Sequence, residues 1–185
     1  MKDKYHFVAI SGSLRAASFN TMVLKTLQKI APANILIDHL SIAEIPLFNQ
    51  DLHHDDQFPE HAYKLSEAIK KADGVIIISP EYNYSIPGVL KNTLDMLSRL
   101  PEQPFNMKAV GLVGASPGTL GTARAQYHLR QVMVTLNAYV MNRPEVMIAQ
   151  AHTKFDKEGN LTDEKTKEFL GKFLDALMKF SDKFI

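Results

Sequence analysis

Residues Ser11-Gly12-Ser13-Leu14-Arg15-Ala16-Ala17-Ser18-Phe19-Asn20 gather hydroxyls, an amide and a guanidinium into one short stretch. Placed just ahead of a helix, such a turn presents unpaired N–H groups and the positive end of the helix dipole, both of which favour an anion. Arg15 adds charge-assisted hydrogen bonds of the kind phosphates take. Neither G-x-G-x-x-G nor GK[ST] is present, so the chemistry points to a monophosphate rather than a dinucleotide or a nucleoside triphosphate. Ser, Asn and Gly also serve at helix starts for purely local capping reasons. By itself the stretch leaves a serine-rich helix cap open.

Two further segments are rich in small or polar groups. Ser79-Pro80-Glu81-Tyr82-Asn83-Tyr84-Ser85 offers backbone groups, a carboxylate, an amide and two aromatic rings, with Pro80 and Pro87 stiffening its ends. That set suits a flat ring system needing hydrogen bonds along one edge, although tyrosines in such connections also serve ordinary packing. The third segment is Gly114-Ala115-Ser116-Pro117-Gly118. Other constellations are weaker. His53-His54-Asp55-Asp56 holds metal-ligand types, but neighbours in a polar loop rarely converge on one ion, and no metal is expected. No serine sits in a G-x-S-x-G elbow, and His128, on a predicted helix, reads as structural or interfacial. Arg124 and Tyr127, three apart, share a helix face.

The elements that must carry these loops alternate in type. Apolar runs at Tyr5 to Ile10, Ile35 to Leu40, Val75 to Ile78, Ala109 to Gly114 and Tyr139 to Met141 predict five strands, separated by stretches of helical period. Val75-Ile76-Ile77-Ile78 is apolar at every position, as expected of a central strand covered on both faces. Pro87 suits a helix start, and Leu90, Leu94 and Leu97 continue its buried stripe; a helix near Thr122 to Leu136 follows. Phe169, Phe173, Leu177 and Phe180 predict one face of a last helix. Parallel strands joined by right-handed crossovers give a doubly wound three-layer α/β sandwich, whose ligands bind beyond the carboxyl ends of the strands. All three loops fall at such ends.

Composition narrows the function. The chain has 185 residues, 45% hydrophobic and 22% charged, enough for a core and consistent with one domain over residues 1–185. Lys+Arg 21 against Asp+Glu 20 leaves +1, so no one-sided field gathers nucleic acid or an acidic membrane surface. Cysteine is absent, which removes thiolate metal sites and a cysteine nucleophile, so redox chemistry here requires a bound cofactor. The N-terminal apolar run is too short for a signal peptide or a spanning helix; a cytoplasmic protein is expected.

The ordered motifs GSLRAASFN, PEYNYSIPGVLKNTLDMLSR and SPGTLGTARAQYHLRQ resemble the NAD(P)H-dependent FMN reductases of flavodoxin-like fold, and among them the chromate and quinone reductases. The resemblance runs from the first strand to about Glu145. It implies FMN, with the phosphate around Ser13, Leu14, Arg15, Ser18, Phe19 and Asn20, the isoalloxazine along Pro80, Glu81, Tyr82 and Asn83, and Ser116 closing the third side. It also implies NADPH or NADH as donor, a quinone or similar small molecule as acceptor, and a homodimer or homotetramer with Arg124, Tyr127 and Glu145 at the interface. Where the family often has paired glycines this chain has Gly121-Thr122, which places Thr122 at the border of the substrate space. No side chain is nominated as an obligatory proton donor, because the cofactor carries the chemistry. A flavodoxin-type electron carrier is the alternative; such carriers usually present an acidic face, which a balanced +1 chain lacks.

Overall fold

A computed structural model describes residues 2–55 and 57–184. Its elements run β1 (Tyr5–Ser11), α1 (Phe19–Ile30), β2 (Ile35–Leu40), α2 (Glu60–Lys71), β3 (Gly74–Ile78), α3 (Gly88–Ser98), β4 (Ala109–Ala115), α4 (Ala123–Thr135), β5 (Tyr139–Val140), β6 (Val146–Ile148) and α5 (Glu164–Ser181). The strands are parallel and ordered β2-β1-β3-β4-β5, the doubly wound order of flavodoxin-like proteins. None of the described helices is long and apolar enough to cross a membrane.

Side-chain alternation along the strands builds two cores. Phe7 and Ala9 of β1, Ile76 and Ile78 of β3, and Val113 of β4 face α1 and α5. Val8 and Ile10, Val75 and Ile77, and Val110 and Leu112 face α2, α3 and α4. Val75 to Ile78 are fully buried, so the unbroken apolar run is the mark of a strand covered on both faces. Each such side chain contributes about 1.5–3 kcal/mol relative to exposure.

Two expectations need correction. The sheet has a sixth strand: β5 pairs with Ala109 and Val110, and β6 pairs further along β4 with Val113, Gly114 and Ala115. Asn142-Arg143-Pro144 lies between the two pieces, and a proline has no N–H to give to a ladder. In α5 the buried stripe is Leu170, Phe173, Leu174 and Leu177. Phe169, expected on that face, is half-exposed, because its position lies outside the edge of the stripe that Phe173 marks, by about 40° around the helix. The segment from His53 to Asp56 lies in the loop after β2, and Asp56 falls outside the described residues; among those described, no group of His, Asp or Glu side chains is arranged to hold an ion. Asp163 caps α5, accepting from the Thr166 N–H at 2.9 Å and from Lys154 Nζ at 3.1 Å. The Thr166 hydroxyl and then Lys154 hold its carboxyl down at about 2.

Candidate functional site

The loops after β1, β3 and β4 meet at the carboxyl end of the sheet because their strands are adjacent. Gly12 N–H donates to the Ile78 carbonyl at 2.8 Å, binding the first loop to the second. A side chain at Gly12 would approach Leu90 Cδ2 at 3.1 Å and Pro80 Cδ at 3.3 Å, so the glycine permits this close passage. Ser13 Oγ then lies 3.5 Å from the Tyr82 hydroxyl.

At the first loop, Ser18 is the N-cap of α1, its Oγ accepting from the Asn20 N–H at 3.2 Å. Among the described residues, no acceptor takes the N–H groups of Leu14, Ala16, Ala17 or Phe19. The first turn of α1 holds no acidic residue, leaving the helix dipole uncompensated toward an incoming anion. Arg15 is exposed and arches over the turn, Nη2 donating to Ala17 O at 2.8 Å. Unpaired donors, a dipole end and an exposed guanidinium converge there. The donor set fits a phosphate ester. Behind the turn lies a hollow of about 240 Å³ lined by Ser11, Thr21, His39 and Ser41; burial, and then the Lys25 charge, pull the His39 imidazole below its ordinary value.

The second and third loops form the walls of a cleft of about 500 Å³, lined by Glu81, Asn83, Tyr84, the segment 116–121 and Arg124. Tyr82 and Ser85 exchange backbone hydrogen bonds at 3.1 and 2.9 Å around Asn83 and Tyr84, both left-handed at φ 50° and 65°. Non-glycine residues in that region cost of order 1–3 kcal/mol each. Arg124 stacks on the Tyr84 ring at 3.8 Å, and Ser116 Oγ donates to Gly121 O at 2.6 Å, rounding the far wall. A slot bounded by an aromatic ring, backbone groups and small residues suits a planar ring with a polar edge.

The structure places Ser13, Leu14, Arg15, Ser18 and Phe19 in the turn ahead of α1 and Pro80, Glu81, Tyr82, Asn83 and Ser116 in the two neighbouring loops, Ser13 Oγ lying 3.5 Å from the Tyr82 hydroxyl. It reassigns some side chains. Asn20 is 2% exposed, its Nδ2 donating to Ala115 O and its Oδ1 accepting from Ala115 N–H, each at 2.9 Å; both amide atoms join α1 to β4. Thr122 is 0% exposed. It points inward, its Oγ1 accepting from Gln126 Nε2 at 3.0 Å, and does not border the cleft. The Glu81 carboxylate is engaged by α4: Oε1 accepts from Arg124 Nη1 and Oε2 from the Ala125 N–H, both at 3.1 Å. Glu145 lies 3.8 Å from Arg143 and 4.0 Å from Arg130 of its own chain. Tyr84 lines the cleft and was not singled out by sequence, although a second tyrosine so close to Tyr82 was visible there.

Comparison with known proteins places this geometry. The family model described as NADPH-dependent FMN reductase matches residues 5–153. A quinone reductase of Escherichia coli is 48% identical over 97% of each chain, and an NAD(P)H-dependent FMN reductase of Pseudomonas aeruginosa is 45% identical over 96% of this chain and 95% of its own. Among solved structures, the flavoenzyme NAD(P)H:(acceptor) oxidoreductase FerB of Paracoccus denitrificans superposes with a TM-score of 0.86 at 36% identity, covering 97% of this chain and 98% of the other. The matched region contains all three loops of the crevice, and on that ground the chain belongs to the NADPH-dependent FMN reductase family.

Proposed function

We propose that the protein, one domain over residues 1–185, is an FMN-dependent oxidoreductase that takes reducing equivalents from NADPH or NADH and delivers them to a quinone or a similar small acceptor. The observation that carries this reading is a turn of unpaired donors beside an open slot of about 500 Å³, the two loops meeting where Ser13 Oγ lies 3.5 Å from the Tyr82 hydroxyl. FMN, when bound, supplies the hydride chemistry. The chain's part is to bind and orient. N–H groups of Leu14, Ala16, Ala17 and Phe19, with Arg15 and Ser13, receive the phosphate; the backbone of Pro80 to Asn83 addresses the ring edge; Ser116 and its loop close the far side. No side chain is required to donate a proton, since quinone oxygens at an open slot take protons from water.

Anaerobic mixing of the FMN-loaded protein with NADPH, and separately NADH, is expected to bleach the flavin absorbance in a single fast phase, and a quinone to restore it. With donor and acceptor using one face in turn, initial-rate lines should be parallel. Sluggish bleaching by both nucleotides would instead support an electron carrier.

Tyr127 is 52% exposed and Val134 78% on the outer face of α4, which supports self-association as a homodimer or homotetramer through that helix, with Arg124 and Glu145 nearby. Light scattering should then give a mass above 20.8 kDa; the monomer mass at micromolar concentration rejects it. Dependence on a nicotinamide nucleotide is the reason to place the protein in the cytoplasm.

A further inference from the structure

Helix α4 starts without a cap of its own. Thr122 stands at the N-cap position but makes no capping bond, because its hydroxyl is buried against Gln126. The acceptor that a helix start needs arrives from across the crevice: Glu81, in the loop after β3, accepts from the N–H of Ala125, the third residue of α4, at 3.1 Å. With its other oxygen it holds Arg124 Nη1 at 3.1 Å. The Glu81 side chain is 8% exposed, so this carboxylate works in a screened setting where such bonds are stronger than in water.

The same contact constrains the loop it comes from. Asn83 and Tyr84 occupy left-handed backbone conformations at φ 50° and 65°, and such residues persist only where their surroundings over-determine them. Here the surroundings are ties to α4. Arg124, fixed by Glu81, lies 3.8 Å over the Tyr84 ring, and Ser85 Oγ meets His128 Nδ1 at 3.0 Å. The first turn of α4 follows directly on the segment 116–121, the opposite wall of the cleft, and contributes Arg124 to it. One carboxylate therefore joins the wall after β3 to the wall after β4.

We propose that Glu81 is a positioning residue that sets the width of the acceptor cleft by capping α4 from the facing loop and locking Arg124 on Tyr84. This rests on the function proposed above, with the cleft as the place where the acceptor enters. Charge, reach and acceptor atoms are separable by substitution. Glu81→Gln keeps an oxygen for the Ala125 N–H and loses the ion pair; Glu81→Asp keeps the charge and falls one methylene short; Glu81→Ala loses both.

The test pairs two readouts on the purified FMN-loaded protein. Hydrogen exchange at the amide of Ala125 should accelerate about tenfold or more in Glu81→Ala and less than about threefold in Glu81→Gln, since an unbonded amide at a helix start exchanges through local opening. The ratio of kcat/KM for a small benzoquinone to that for a bulky naphthoquinone should shift about fivefold or more in Glu81→Ala, mostly through KM, and by an intermediate amount in Glu81→Gln, which keeps the cap and releases Arg124. Asp163→Ala, which removes the cap of α5, a helix that does not line the cleft, is the control; it should lower the melting temperature and leave the ratio alone. Ala125 exchange unchanged in Glu81→Ala overturns the proposal. Faster exchange with an unchanged ratio overturns it too, reducing Glu81 to an ordinary cap. If the alanine variant does not fold, Glu81→Asp carries the same two readouts. A wild type that reduces no quinone rejects the proposed function itself and with it the role of Glu81 at an acceptor cleft, whatever the exchange shows.

Discussion

Arg15→Ala is expected to weaken FMN binding by about 1.5–3 kcal/mol, roughly 10- to 150-fold, and riboflavin binding hardly at all. The two ligands share the ring and the ribityl chain and differ in the phosphate, so the difference isolates contacts at the turn between β1 and α1. Arg15 is the cation of that turn, and among the described residues its guanidinium is held by the Ala17 carbonyl alone, at 2.8 Å. A ligand phosphate replaces that neutral acceptor with a charged one, and the exchange is favourable because charge-assisted bonds are about twice as strong as neutral ones. Arg15→Lys should fall between wild type and alanine, since an ammonium keeps the charge but lacks the planar fork. Flavin fluorescence titration measures all of these. Equal losses for FMN and riboflavin would remove Arg15 from the phosphate site.

Gly114→Ala is expected to destabilise the protein by about 3 kcal/mol, at the upper end for overpacking, which for a chain of this size lowers Tm by roughly 6–12 °C. A Cβ at Gly114 would lie 1.9 Å from Thr122 Oγ1 and 2.5 Å from the Ser79 carbonyl oxygen. The first could be relieved by a side-chain movement, the second only by displacing β3. Thr122→Gly alone should also lower Tm, because it opens a void beneath α4 and removes an acceptor from Gln126 Nε2; it should leave acceptor preference unchanged, because Thr122 does not reach the cleft. The double variant should be less destabilised than the sum of the two single variants, since the added methyl occupies space the threonine vacates. Calorimetry on the three proteins checks this. A wild-type Tm for Gly114→Ala would contradict the packing.

How far the molecule was legible in its sequence differed by the kind of information each part needs. The strand at β3 was readable because burial on both faces demands apolar side chains at consecutive positions, and Val75 to Ile78 meet that demand locally. The edge beyond β4 was not. Val146-Met147-Ile148 is too short to stand out by pattern, and it becomes a strand only because β4 presents unpaired groups at Val113 to Ala115. Likewise Phe169 and Leu170 are both apolar, and the sheet, not the residue types, selects Leu170 for the core.

Within the site the division is sharper. The turn from Ser11 to Asn20 was legible as chemistry: small residues, hydroxyls and one arginine ahead of a helix suit an anion, although the same residues also suit a helix cap. The order of the three motifs likewise determined the family and the doubly wound fold. Asn20, Glu81 and Thr122 were different. An amide, a carboxylate and a hydroxyl each bond a ligand or a backbone group equally well, and nothing in a residue type distinguishes those uses. Tertiary structure decided them by bringing Ala115 to Asn20, Ala125 to Glu81 and Gln126 to Thr122 at bonding distance. For Asn20 and Glu81 the acceptor or donor lies on an element distant in the chain, and its proximity is a product of strand order. Residue chemistry states what a polar side chain is able to bond, but a buried polar group bonds whatever the packed fold sets beside it, because leaving it unpaired costs more than the local sequence can offset.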